Sequence, residues 1–118
     1  MGWLTLRLPI PISVNHIYTH SRTGVRLTAA AKEYRAEVAW EILAQTTPEQ
    51  RAGLPEQLTL SLVYHPRERL DIDNGLKLLI DSMFDALDRN DRTIMHLQVD
   101  RSEAAERGVV GVQIGGGE

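Results

Sequence analysis

Two neighbouring stretches decide the fold: Leu58-Thr59-Leu60-Ser61-Leu62-Val63-Tyr64, and a few residues later Arg69-Leu70-Asp71-Ile72-Asp73-Asn74-Gly75-Leu76-Lys77. The first alternates with period two, the pattern of a strand with one buried face. The second leads into a helix over roughly 73–88. Its Leu76, Leu79, Ile80, Met83 and Leu87 recur at helical spacing and form a buried stripe. Downstream, residues 93–101 read as a strand with Met95, Leu97 and Val99 on one side, and residues 108–114 as a last strand through Val110, Val112 and Ile114.

Upstream, Leu4, Leu6 and Leu8 alternate with Thr5 and Arg7, and Pro9 and Pro11 end that strand. Residues 13–27 read as irregular, with Ser21–Gly24 a turn between short extended pieces at 17–20 and 25–27. Thr28 is a suitable N-cap for a helix to about Gln45, with Ala31, Tyr34, Val38 and Ile42 on one face. Trp40 and Leu43 point elsewhere, either to dimer contacts or to the loop at 47–55. The order β-α-β-α-β-β predicts an α+β fold, a mixed β-sheet with two main helices packed on one face. Residues 1–118 are expected to form one domain, with 115–118 a mobile tail.

Composition narrows the function. The chain has 118 residues and no cysteine, which excludes disulfide frameworks and thiolate metal sites. No apolar run approaches the ~20 residues of a membrane span, and the N-terminus lacks a signal-peptide pattern. A cytoplasmic protein with no membrane partner is expected. Charge is unevenly placed. Arg7, Arg22, Arg26 and Lys32 all precede Glu33, the first acidic residue, and the remaining nine basic residues face 16 acidic ones. The sharpest acidic block holds Asp71, Asp73, Asp81, Asp85, Asp88 and Asp91 against Lys77 and Arg89. A basic limb beside an acidic cluster suits an anionic polymer and a cation; solvated surface charge is the plainer explanation of either alone.

The chemistry concentrates at the start of the second helix. Two residues apart on extended backbone, the Asp71 and Asp73 carboxylates project to one side, about 6–7 Å apart. They repel each other by roughly 2–3 kcal/mol at an effective dielectric near 20. A cation between them reverses that sign, and hard oxygen donors favour Mg²⁺, or Mn²⁺ in its place. The plain alternative is that one aspartate caps the helix and the other complements its dipole. Lys77, four residues after Asp73, is either a simple ion pair or a cation for a phosphate. Asp91 lies beyond the helix and returns to the same site if the next strand pairs beside 58–64. Asn74 either caps or orients a ligating aspartate. Asp81 and Asp85 read as solvated face residues, with Asp81 an occasional partner of Lys77. His16, His20, His65 and His96 show no ligand spacing, and phosphate contact is the natural use of His16 and His20. No Gly-rich phosphate loop or serine nucleophile signature is present.

The run Asp71-Ile72-Asp73-Asn74-Gly75-Leu76-Lys77, the helix after it and Asp91-Arg92-Thr93-Ile94 resemble the RusA family of Holliday junction resolvases. The opening is similar too: Pro9-Ile10-Pro11, then Asn15 and Tyr18, a basic turn, and a helix carrying Tyr34-Arg35. By that resemblance, Asp71, Asp73 and Asp91 are magnesium-binding catalytic carboxylates and Lys77 is the catalytic lysine. The resemblance also implies a homodimer that cuts four-way DNA junctions symmetrically, in recombination and repair. Two positions depart from the pattern. Asn90-Asp91 stands where many members carry two aspartates, and Gly75 where an apolar residue is usual. Asn15, His16, His20, Arg22, Arg26, Arg67 and Arg69 are the candidate DNA contacts. The rivals are a non-enzymatic DNA-binding module with helix-capping aspartates, and a transferase holding a metal diphosphate on Asp-x-Asp.

Overall fold

The computed structural model describes residues 3–12, 18–21, 24–71 and 73–116. Strand β1 (Leu4–Pro9) is followed by an antiparallel hairpin of β2 (Tyr18–Ser21) and β3 (Gly24–Leu27). Then come helix α1 (Ala29–Gln45), the short helix α2 (Pro48–Ala52), β4 (Leu58–Tyr64), α3 (Asn74–Leu87), β5 (Ile94–Arg101) and β6 (Val109–Gly115). The fold is α+β, and its main sheet has the order β1-β6-β4-β5. β4 and β5 are parallel and the other two pairs antiparallel, so the sheet is mixed, as expected.

The register explains the period-two patterns. Leu4, Ile114 and Leu60 lie in one row across β1, β6 and β4. Leu6, Val112 and Leu62 form the next, and Leu8, Val110 and Tyr64 the third. All nine are buried, and they meet Ala31, Tyr34, Val38 and Ile42 of α1 and Leu76, Leu79, Met83 and Leu87 of α3 in one core. Each such apolar side chain removed from water contributes about 1.5–3 kcal/mol before the entropy cost of ordering it. Thr28 caps α1, its hydroxyl accepting from Ala31 N at 3.1 Å.

Four details differ from the sequence reading. The 47–55 stretch holds α2, which Thr47 and Gln50 close with a reciprocal capping box. α3 buries more than one stripe: Leu78 and Phe84 are inside and Ile80 is only half-buried, because the helix meets α1 as well as the sheet. Met95 and Leu97 are exposed, because β5 is an edge strand that the helices do not cover. Gly115 belongs to β6 rather than to a tail, while 117–118 lie outside the described residues. Trp40 and Leu43 are 68% and 55% exposed, so the rest of the chain leaves most of the Trp40 surface and over half of the Leu43 surface open. Among the described residues, no helix is long and apolar enough to cross a membrane.

Candidate active site

The connection from β4 to α3 is tied down before it reaches the aspartates. The Glu68 carboxylate accepts from Arg107 Nε at 2.8 Å and from Gly108 N at 2.6 Å. These bonds, the Arg107 one foremost, hold Glu68 below the usual carboxylate range. His65 Nδ1 accepts from Arg67 N at 3.0 Å, and Ser102 N donates to Tyr64 O at 3.0 Å. Leu70 is buried just ahead of Asp71. Asp71 and Asp73 are therefore displayed by an anchored loop.

Asp71 is half-buried, and its Oδ1 accepts from Asp73 N at 2.8 Å, an Asx turn that leads into α3. Its carbonyl accepts from Leu76 N at 2.8 Å, and the Asp73 carbonyl accepts from Lys77 N at 3.1 Å. Gly75 makes this fold-back possible. A Cβ there would lie 3.2 Å from Asp71 Cβ and 3.8 Å from Pro11 Cβ. Asp73 occupies the N-cap position of α3, yet its side chain makes no capping hydrogen bond. Aspartate is among the best N-caps, and an unused one is unusual.

The far end of α3 is shaped with equal care. Asp88 adopts the left-handed conformation (φ 56°, ψ 46°) and ends the helix, and Arg89 N donates to Phe84 O at 2.9 Å. Arg89 Nη2 donates to Pro55 O at 2.6 Å. Asn90 Oδ1 accepts from Arg92 N at 2.8 Å, and its carbonyl accepts from Thr93 Oγ1 at 2.6 Å. These bonds set a 3-10 turn over Asp91–Thr93. Asn90 thus has a structural task in the turn that presents Asp91.

An open pocket of about 350 Å³ collects Asp73, Leu76, Lys77, Ile80, Asp81 and Asp91. Lys77 Nζ lies 2.8 Å from Asp81 Oδ2, an exposed helical pair worth a few tenths of a kcal/mol. A second depression of about 280 Å³ shares Asp81 and Asp91 and adds Arg35, Phe84, Asp85 and Arg89. Arg35 reaches Asp85 at 3.5 Å. The two depressions adjoin along α3 through Asp81 and Asp91, and together they are lined by four aspartates, two arginines and Lys77.

Three of the four proposed catalytic residues, Asp73, Lys77 and Asp91, line one pocket, and Asp71 adjoins through its bond to Asp73 N. Asp81, read from sequence as a solvated face residue, is a further member; the four-residue step from Lys77 was the signal for it. Asn74 opens α3, half-buried. Arg67 and Arg69 are exposed on the loop before Asp71. His20 lies on β2 and Arg26 on β3, whereas Asn15, His16 and Arg22 lie outside the described residues. In kind, the pocket's oxygen donors fit a hard divalent cation, and the Asp73 carboxylate has no capping task that would compete. Among the described residues, no three His, Cys, Asp or Glu side chains gather closely enough to form a ready-made metal cluster.

Tyr34 and Arg35 on α1, outside the first pocket, have structural work. The Tyr34 hydroxyl donates to Pro9 O at 2.7 Å, tying α1 to β1, and burial pushes its ionisation well above the usual phenol range. Arg35 ties α1 to α3 through Asp85.

Comparison with known proteins gives results of unequal weight. No curated protein sequence matches the chain. Among solved structures, 2C-methyl-D-erythritol-2,4-cyclodiphosphate synthase aligns with a TM-score of 0.38 and 16% identity, covering 96% of this chain and 94% of that one. Its CDP-bound form aligns with a TM-score of 0.37 and 15% identity over the same shares. Similarity at that level says nothing about fold or activity here. The family model for endodeoxyribonuclease RusA, in contrast, matches residues 9–115, from the end of β1 to the end of β6 and across both depressions. The chain belongs to the RusA family of endodeoxyribonucleases.

Proposed function

We infer that this chain is a divalent-metal-dependent endonuclease that resolves four-way DNA junctions by paired phosphodiester hydrolysis, in recombination and repair. The observation that carries the reading is Asp73, an N-cap carboxylate withheld from its own helix and facing a pocket with Lys77 and Asp91. Asp71, Asp73 and Asp91 would hold Mg²⁺, or Mn²⁺ in its place. When bound, the ion supplies an activated water and charge neutralisation at the phosphorus. Asp71 fixes the backbone that presents Asp73, through the bond to Asp73 N. Lys77 places a positive charge beside the scissile phosphate once its pairing with Asp81 is exchanged for the phosphate oxygens. Asn74, next to Asp73, would orient a ligating aspartate through its amide. Arg67 and Arg69, with Asn15, His16, His20, Arg22 and Arg26 of the basic limb, hold the DNA backbone and offset the aspartates.

A four-way junction has approximate two-fold symmetry and needs two cuts, so a homodimer presenting two pockets matches it. The test is a labelled four-way junction and a linear duplex, each incubated with Mg²⁺ and with chelator. Metal-dependent cutting of the junction in preference to the duplex is expected. An uncut junction in every condition would overturn the enzymatic reading.

A further inference from the structure

The sheet has two edges, and they are treated differently. At β1, Arg7 N donates to Gln45 Oε1 and Gln45 Nε2 donates to Arg7 O, both at 2.8 Å. Tyr34 donates to Pro9 O, and Pro9 has no N–H to offer. Side chains of α1 therefore occupy the outward backbone groups of Arg7 and Pro9 on that edge. β5, the opposite edge, has eight residues, Ile94-Met95-His96-Leu97-Gln98-Val99-Asp100-Arg101, with no proline or glycine. Among the described residues, nothing outside β4 hydrogen-bonds to the main chain from Met95 to Arg101. A long open edge of this kind is a template for another strand.

Its side chains point to the same use. Leu97 stands beside Leu60 and Val99 beside Leu62, so two apolar rows of the core run on to the edge. There they meet solvent: Leu97 is 47% exposed, and Met95, at the bulge where β5 slips against β4, is 55% exposed. Trp40 and Leu43 on α1 also offer apolar surface, but a helix has no free backbone ladder to extend.

Building on the homodimer reading above, we propose that β5 is the surface on which a second copy of this chain docks, the two β5 strands pairing antiparallel about a two-fold axis at Gln98. That register is self-complementary. It sets His96 across from Asp100 of the partner subunit on one face and Leu97 across from Val99 of the partner subunit on the other, each contact made twice. Centring the axis on Leu97 instead sets Asp100 against the apolar Ile94 of the partner subunit and leaves its charge without an opposite. Asp91 lies three residues ahead of Ile94, so the joined sheet would carry the two pockets as a symmetric pair beside the interface.

The test is solution mass by light scattering, with far-UV circular dichroism as the check on folding. A wild-type mass near twice the 13.2 kDa of one chain is expected. Leu97→Asp should weaken dimerisation at least tenfold with an unchanged spectrum, while Trp40→Asp should leave the dimer intact. The chain has no cysteine, so Gln98→Cys introduces a single thiol at the axis and should oxidise to a covalent dimer. Trp40→Cys should not. Loss of the dimer in Trp40→Asp with retention in Leu97→Asp would overturn the β5 assignment and leave the homodimer reading standing. A Gln98→Cys chain that cross-links no faster than Trp40→Cys would overturn it too. A monomeric wild type would remove the homodimer reading along with it.

Discussion

The two long helices begin in opposite ways. α1 starts on Thr28, whose hydroxyl accepts from Ala31 N. α3 starts on Asp73, a residue type that caps equally well, and its carboxylate caps nothing. The first turn of α3 is held by backbone instead, through the Asp71 and Asp73 carbonyls, and by the bond from Asp73 N to Asp71. The difference teaches that a side chain absent from its ordinary structural task, where it faces a pocket, is available for chemistry. Stability and activity should accordingly separate between these two helix starts.

The largest effects belong to the α3 side. Asp71→Asn and Asp91→Asn should each lower junction cleavage by about 10²-fold or more, since each removes a negative charge that would balance the metal ion. Single-turnover rates at saturating Mg²⁺ measure this, and full activity of either variant removes that residue from the site. Lys77→Ala should lower the cleavage rate by roughly tenfold to a hundredfold while junction affinity, measured in Ca²⁺, changes little. Equal losses in both would mean that Lys77 serves binding only.

Thr28→Ala sharpens the contrast from the other side. It should cost about 1 kcal/mol in chemical denaturation, with the cleavage rate per folded molecule unchanged. Gly75→Ala tests the geometry between the two. Alanine favours a helix by about 1 kcal/mol over glycine, but its Cβ would press on Asp71 Cβ at 3.2 Å. The expected result is a stability change under about 1 kcal/mol with a measurable loss of cleavage, because Asp71 must move.

The smallest effect is in acid. Hydrogen bonds from Arg107 hold Glu68 low, and those from Arg7 hold Glu106 low. A carboxylate depressed in the folded state contributes stability above its unfolded pKa, and loses it as pH falls through the lower folded value. Melting temperatures should therefore decline below about pH 4.5. Glu106→Gln should make that decline slightly shallower; an identical acid profile would mean that this surface pair contributes nothing.

Much of this was legible in the sequence, for physical reasons. Leu58–Tyr64 and Leu4–Leu8 announce one-sided strands because period two is what a half-buried sheet requires, and Thr28 announces α1 because its cap is local. The motif Asp71-x-Asp73 with Lys77 and Asp91 was legible as a candidate site because like charges so placed need a reason. What sequence could not supply was neighbourhood. Met95 and Leu97 look like core until the strand order puts β5 at an edge. Asp81 looks like solvent until the turn at Asn90–Thr93 brings Asp91 beside it. Gly75 looks like a weakness until Asp71 is seen folded against it.

Asp73→Asn separates the two uses of this residue most directly, because asparagine caps helices as well as aspartate does but lacks the charge. The measurement is single-turnover cleavage of a labelled four-way junction at saturating Mg²⁺, on a variant whose metal-free melting temperature is recorded alongside. A carboxylate reserved for chemistry predicts lost cleavage with a melting temperature equal to or slightly above wild type, since a crowded set of aspartates has lost one charge. Cleavage at the wild-type rate would contradict it and remove Asp73 from the site.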